Sequence, residues 1–257
     1  MLVAAGHQLE YILLRPPTES AAKPVLVFLH EGLGSVALWK GFPAAVVAAT
    51  GCRALVYSRY GYGKSDKLAA PRGVDYMHRE ALEVLPEILD KLAIRNPVLI
   101  GHSDGASIAL VHAGARKWPV RGVVAMAPHV FVEDLSVASI AQARESFRHT
   151  DLPGRLARYH DDVDSAFWGW NDIWLHPDFR CWNIEEYLSG VACPVLLIQG
   201  EDDQYGSAAQ VEAIARQVSG PAEILMLPDC AHSPHLSNQK DAAISAVARF
   251  VGDLKAE

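Results

Sequence analysis

The chain is poor in the features that mark several large classes of protein. Cysteine is scarce. The four residues, Cys52, Cys181, Cys193 and Cys230, are scattered without C-x-x-C spacing, which excludes a disulfide scaffold and a thiolate zinc knuckle. They read as the reduced, partly buried thiols of an intracellular protein. Positive charge is in deficit: 23 Lys and Arg stand against 30 Asp and Glu, a net charge of −7, so the footprint of a general nucleic-acid binder is missing. No apolar run approaches the roughly 18 to 20 residues of a membrane span. The segment Met1 to Gln8 has neither the basic start nor the apolar stretch of a signal peptide. Repeats and low-complexity segments are absent. Of the 257 residues, 50% are hydrophobic, which excludes intrinsic disorder. Together these absences lead us to expect a soluble cytoplasmic protein with a small-molecule substrate and no nucleic-acid or membrane partner.

What is present is a repeated strand pattern. Pro24 to His30, Pro97 to His102 and Pro194 to Gly200 are short runs of branched apolar residues, each opened by a proline. Apolar on both faces, they suit a parallel sheet covered by helices. Arg53 to Tyr57 and Val120 to Ala127 resemble them. Between them lie helical stretches: Asp75 to Leu92 with one apolar face, the small-residue run Ser107 to Ala115, Ala208 to Val218 and Asp241 to Val251. The alternation predicts an α/β fold, a mostly parallel doubly wound sheet of right-handed crossovers. From about Phe131 to Gly190 the alternation stops, and four of the six tryptophans fall in this stretch. Since a structureless loop of that length is improbable, the pattern predicts a helical insertion.

The strongest chemical signal is Gly101-His102-Ser103-Asp104-Gly105, a G-x-S-x-G placed between a strand and a helix. A serine on so tight a turn needs glycine neighbours, and the helix behind it offers N–H groups to a developing oxyanion. Acidic residues follow the later strand at Gly200-Glu201-Asp202-Asp203, and a histidine follows Pro228 at Asp229-Cys230-Ala231-His232. Nucleophile, acid and base thus occur in the order Ser, Asp, His, each just past a strand's carboxyl end. Two competing motifs fail. Gly63-Lys64-Ser65 lacks the earlier glycine of a phosphate-binding P-loop. Gly32-x-Gly34-x-x-Ala37 lacks the acidic residue of a dinucleotide fold about 20 positions on. His232-x-x-His235 has no further ligands at zinc spacing, so the sequence by itself gives no metal and no cofactor.

The chain resembles the small, lid-bearing serine hydrolases of the α/β-hydrolase fold family. The resemblance covers nearly the whole length. It is carried by His30-Glu31-Gly32-Leu33-Gly34-Ser35, by Ser58 to Asp66, by the turn at Ser103, by Gly200 to Asp203 and by Cys230 to His235. It implies a core domain of residues 1–131 and 191–257 with a helical lid at 132–190. In the family the acid stands three residues after the strand-ending glycine, which selects Asp203 over Asp202 and Glu201. The resemblance implies Ser103 as nucleophile, His232 as base and Asp203 as orienting acid. The oxyanion hole would combine the N–H of Asp104 with that of Gly32, or alternatively Leu33. Leu33, Trp168, Trp170 and Trp174 are expected at the substrate. His30 and His102 are expected as structural neighbours of the site, and His235 as the start of the last helix. Two departures stand out: Ala231 replaces a glycine, and Glu31 replaces the glycine of the usual His-Gly opening. Glu31 is read either as an outward-facing carboxylate or as a contact with substrate or lid. The expected activity is hydrolysis of a small carboxylic ester or thioester with an apolar or aromatic group. Carbon–carbon bond hydrolysis, acyl transfer and a non-catalytic ligand receptor remain as alternatives.

Overall fold

The computed structural model describes residues 1–18 and 23–254. The end of the expected core segment, 255–257, lies outside the described residues. Nine strands alternate with ten α-helices among the described residues. A short antiparallel hairpin, β1 (Leu2–Ala4) and β2 (His7–Leu9), precedes β3 (Tyr11–Leu14). There follow β4 (Leu26–Leu29), α1 (Phe42–Thr50), β5 (Ala54–Tyr57), α2 (Tyr76–Arg79), α3 (Leu85–Lys91), β6 (Val98–His102) and α4 (Asp104–Gly114). After β7 (Gly122–Met126) come α5 (Asp134–His149), α6 (Leu152–Leu156), α7 (Val163–Trp174) and α8 (Glu185–Leu188). The chain closes with β8 (Val195–Gly200), α9 (Ala208–Gln217), β9 (Ala222–Leu227) and α10 (Lys240–Asp253).

Seven strands form one sheet in the order β3-β5-β4-β6-β7-β8-β9, parallel throughout except where β3 pairs with β5. The strands from β4 to β8 are buried along their length, as apolar runs covered on both faces should be. Alternate residues feed two cores. Val27, Leu55 and Leu99 pack under α4 and the helices of residues 76–91, while Phe28, Val56 and Ile100 pack under α1 and α10. Burial of each such side chain contributes about 1.5–3 kcal/mol. From β4 the chain moves to one side for β5 and returns on the other for β6. Leu29 therefore sits opposite Gly101. The loops leaving β4 and β6 open side by side, the crevice where ligands bind in open α/β sheets.

Three local differences from the sequence reading have physical causes. The long helix expected over Asp75 to Leu92 is divided by a π-turn at Glu80–Val84. Pro86 has no N–H to give, and its ring would collide with the carbonyl four residues back, so the wider turn precedes it. The strands β1 to β3 escape notice because each is only three or four residues long and half exposed. The helix α1 is apolar on most sides and shows no clear stripe. Residues 132–190 carry α5 to α8 with one isolated bridge, Phe131 to Asn183. Their aromatics stack among themselves, Phe147 on Phe167 with ring centroids 3.8 Å apart.

Candidate active site

Ser103 occupies the single residue between β6 and α4, with φ 53° and ψ −119°. For a side chain with a Cβ this conformation is strained, and it persists because the surrounding packing leaves no alternative. A Cβ on Gly105 would overlap the carbonyl of Leu29, and one on Gly101 would overlap the carbonyl of Gly105. Only glycine at both positions lets α4 begin so close to the ends of β4 and β6. The hydroxyl of Ser103 opens on a cavity of about 110 Å³.

His232 reaches the same point from the loop after β9. Its Nε2 lies 3.0 Å from Ser103 Oγ, and its Nδ1 lies 2.9 Å from both carboxylate oxygens of Asp203. Asp203 stands in the loop after β8 and accepts three further hydrogen bonds. They come from Gln199 Nε2 (2.6 Å), the N–H of Tyr205 (2.8 Å) and the N–H of Gly206 (3.3 Å). Burial opposes ionisation of this carboxyl, but the bonds from His232 and Tyr205 outweigh it and hold the group below its ordinary value. An ionised acceptor on Nδ1 puts the hydrogen on that nitrogen and leaves the Nε2 lone pair facing the serine hydroxyl.

Among the described residues, none accepts a hydrogen bond from the N–H of Asp104, Gly32 or Leu33. Asp104 N–H lies in the first turn of α4, where backbone donors have no partner in the helix. The loop carrying Gly32 is fixed by Arg59, whose Nη2 donates to the Glu31 carbonyl at 2.8 Å and the His30 carbonyl at 3.3 Å. The same nitrogen lies 3.5 Å from the Asp104 carboxylate. Tyr76 Oη donates to that carboxylate at 2.7 Å, and Trp174 Nε1 at 3.2 Å. One buried guanidinium thus joins the two segments that offer N–H groups beside Ser103. No local sequence pattern marks Arg59 for this role.

The cavity is walled by Leu33, Ile140, Trp170, Trp174, His129 and Tyr205, with Glu31 and Gly32 at the same opening. Trp170 lies so close over Gly32 that a Cβ there would overlap the indole. Trp168 lies elsewhere, in a larger outer groove of about 350 Å³ with Leu68, Arg72 and Asp172, and against Phe147. Helical period separates them. Residues 170 and 174 share a face of α7, whereas 168 points away from it. His129, Ile140 and Tyr205 were missed because nothing local marks them. Burial and the nearby His232 lower the pKa of His129 to about 4, so it stands neutral in the wall. The helical segment also reaches the Gly32 loop directly: His160 Nε2 bonds the Leu33 carbonyl at 2.9 Å, and its Nδ1 accepts from Gly63 N–H at 3.0 Å.

Glu31 faces inward, toward His102 Nδ1 at 3.4 Å. Burial opposes its ionisation, yet His102, His235 and His30 prevail and hold its carboxyl far below the usual carboxylate range. His102 Nε2 lies 2.7 Å from the His232 carbonyl oxygen. His235 does not open the last helix. It sits in a turn, Pro234–Leu236, ahead of α10, packed between Trp39 and His102.

Comparison with known proteins agrees with this architecture. A family model described as the alpha/beta hydrolase family matches residues 26–246. An enol-lactonase from Burkholderia xenovorans superimposes with a TM-score of 0.75 at 19% identity, covering 97% of this chain and 98% of its own. A proline iminopeptidase from Mycobacterium smegmatis gives 0.75 at 17% identity, with 97% and 96% covered. In sequence, the probable lysophospholipase BODYGUARD 1 of Arabidopsis thaliana is 27% identical over 130 residues, 49% of this chain and 27% of that protein. The chain thus spans about a quarter of that curated relative's length. Among the described residues no helix is long and apolar enough to cross a membrane. The matched span includes six of the seven strands of the sheet, β4 to β9, with the turn at Ser103 and the loops bearing Asp203 and His232, and on that ground the chain belongs to the alpha/beta hydrolase family.

Proposed function

We propose that the protein is a serine hydrolase that cleaves a small carboxylic ester or thioester with an apolar or aromatic group, through an acyl-serine intermediate. One observation carries the proposal: the unbroken chain Ser103 Oγ, His232 Nε2, His232 Nδ1 and Asp203, at 3.0 Å and 2.9 Å, where a strained turn exposes the hydroxyl. Ser103 Oγ attacks the carbonyl carbon while His232 Nε2 takes its proton. The N–H groups of Asp104 and Gly32 receive the oxyanion. The bond to the leaving oxygen or sulfur breaks, and His232 returns the proton to the departing group. Water then repeats the sequence on the acyl-serine and frees the acid. Asp203 holds the tautomer and stabilises the imidazolium formed at each stage.

The cavity supports the choice of substrate. Apart from Glu31 its walls are apolar or neutral, and its volume of about 110 Å³ suits a short acyl group rather than a long chain. The resemblance to a probable lysophospholipase points likewise to a carboxylic ester. Residues 132–190 act in this proposal as a lid that shapes the pocket and excludes water, with Trp170 and Trp174 as its inner wall. A panel of short-chain and aromatic esters, thioesters and dienones, run with Ser103→Ala as control, tests the proposal. Ester or thioester turnover lost in the variant supports it. Turnover confined to carbon–carbon bonds, or unchanged in the variant, overturns it.

A further inference from the structure

Three chemistry-bearing residues that the serine reaction leaves unused meet behind the cavity. Glu31 comes from the loop after β4, His102 is the last residue of β6, and His235 lies in the turn before α10. One ligand atom from each lies within 4.8 Å of the other two. The sequence could not reveal this set, because His232-x-x-His235 finds its companions in segments more than 130 residues away.

The hydrogen bonds at this cluster leave it unsatisfied. A carbonyl oxygen only accepts, so the 2.7 Å contact between His102 Nε2 and the His232 carbonyl puts the hydrogen on Nε2. In a neutral ring Nδ1 then presents a lone pair, and it faces a carboxylate oxygen of Glu31 at 3.4 Å. Next to that carboxylate the contact calls for positive charge, either a second proton on the ring or a cation between the two groups. His235 is 1% exposed, and among the described residues neither of its ring nitrogens has a hydrogen-bond partner. A buried polar group without a partner is costly. One cation would answer both the facing lone pairs and the unpartnered ring.

We propose that Glu31, His102 and His235 form a binding site for a divalent transition-metal ion of the zinc type. Two imidazole nitrogens and one carboxylate oxygen are the donors such an ion prefers, and they disfavour the all-oxygen cations magnesium and calcium. Bringing the three donors, which lie within 4.8 Å of one another, to about 2.0–2.2 Å from a zinc ion needs shifts of about 0.8 Å or less per donor. The bond from His102 Nε2 to a backbone carbonyl is the outer contact that metal-bound imidazoles habitually make, and it sets the tautomer. Glu31 lines the cavity and its side chain is 16% exposed, which gives the ion a route in and leaves a position for water. The ion would clamp the loop that carries Gly32 and, through His102, the backbone of His232. Its role is to hold the reaction's donors in place; it takes no part in the bond changes at Ser103.

Zinc titration of the chelator-treated full-length protein, followed calorimetrically, tests the site. We expect one-to-one uptake and a raised melting temperature, both retained in Ser103→Ala and in the surface variant His149→Asn. Glu31→Gln and His235→Asn should each weaken binding roughly a hundredfold or more. Absence of one-to-one uptake, or uptake that survives either substitution, overturns the proposal. Should a variant fail to fold, X-ray absorption on the zinc-loaded wild type decides. Two imidazole nitrogens with oxygen neighbours support the site, while a sulfur neighbour or a single imidazole overturns it. Nitrogen-15 spectra showing protons on both ring nitrogens of His102 after zinc addition also overturn it. None of these readouts depends on turnover, so failure here and failure of the serine reaction are distinguishable.

Discussion

Two imidazole–carboxylate pairs stand side by side in this protein, with the rings of His102 and His232 centred 5.0 Å apart. Each turns Nδ1 toward an acid. They differ in what Nε2 meets: for His232 a serine hydroxyl, for His102 a backbone carbonyl. A hydroxyl can surrender a proton and a carbonyl cannot, so only the first pair is equipped for general base chemistry. Their acids differ too. Asp203 is held by three donors besides the histidine, whereas Glu31 has one long contact and partial access to the cavity. Residue type alone therefore does not assign the chemistry; the group on the far nitrogen does.

Substitutions should separate the pairs by orders of magnitude. Ser103→Ala or His232→Ala should lower kcat by about 10⁴ to 10⁶. Steady-state turnover of the best ester in the panel measures this. Asp203→Asn keeps the shape of the site but can favour the wrong tautomer of His232, and should cost about 10³ to 10⁴ in kcat. On the other pair, His102→Asn removes the bond to the His232 carbonyl and the long contact to Glu31, a net effect of about 1 kcal/mol, so kcat should fall only about fivefold. A loss as large as that of His232→Ala would erase the distinction drawn here.

Acid stability sharpens the contrast from another side. Burial lowers the pKa of His129 from 6.5 to about 4, so the folded protein keeps it neutral. In the unfolded chain it titrates near its ordinary value. Above about pH 6.5 the two states bind equal protons at this group. Below it the unfolded state binds one that the folded state refuses, and stability is lost progressively down to about pH 4, by up to ~3 kcal/mol. Melting temperatures across this window should fall in the wild type and fall less in His129→Gln. The smallest effects belong to α7. Trp170→Ala should raise KM several-fold, while Trp168→Ala, out in the larger groove, should leave kcat/KM within about twofold.

The sequence carried the parts of the fold and site that local rules determine. The turn at Ser103 is legible because strand, glycines and helix are contiguous, whereas the choice of Asp203 among the three acids after Gly200 rests on the family resemblance and not on a local rule. The inner strands are legible because burial on both faces demands unbroken apolar runs. What stayed hidden depends on distant encounters. Arg59 reaches the Glu31 carbonyl and the Asp104 carboxylate across segments 28 and 45 residues away, and no local pattern marks it. Glu31 could not be oriented from sequence, since its partners lie at positions 102 and 235. The choice between Trp168 and Trp170 was available in principle from helical spacing, once the run Val163 to Trp174 is taken as one helix.

The central claim is that Ser103 is a nucleophile activated by His232. A small fluorophosphonate probe followed by intact-mass and peptide mass spectrometry tests it directly. One adduct per chain on Ser103, absent in Ser103→Ala and strongly slowed in His232→Ala, is the expected result. No adduct on folded wild-type protein, or an adduct on another residue, would contradict it.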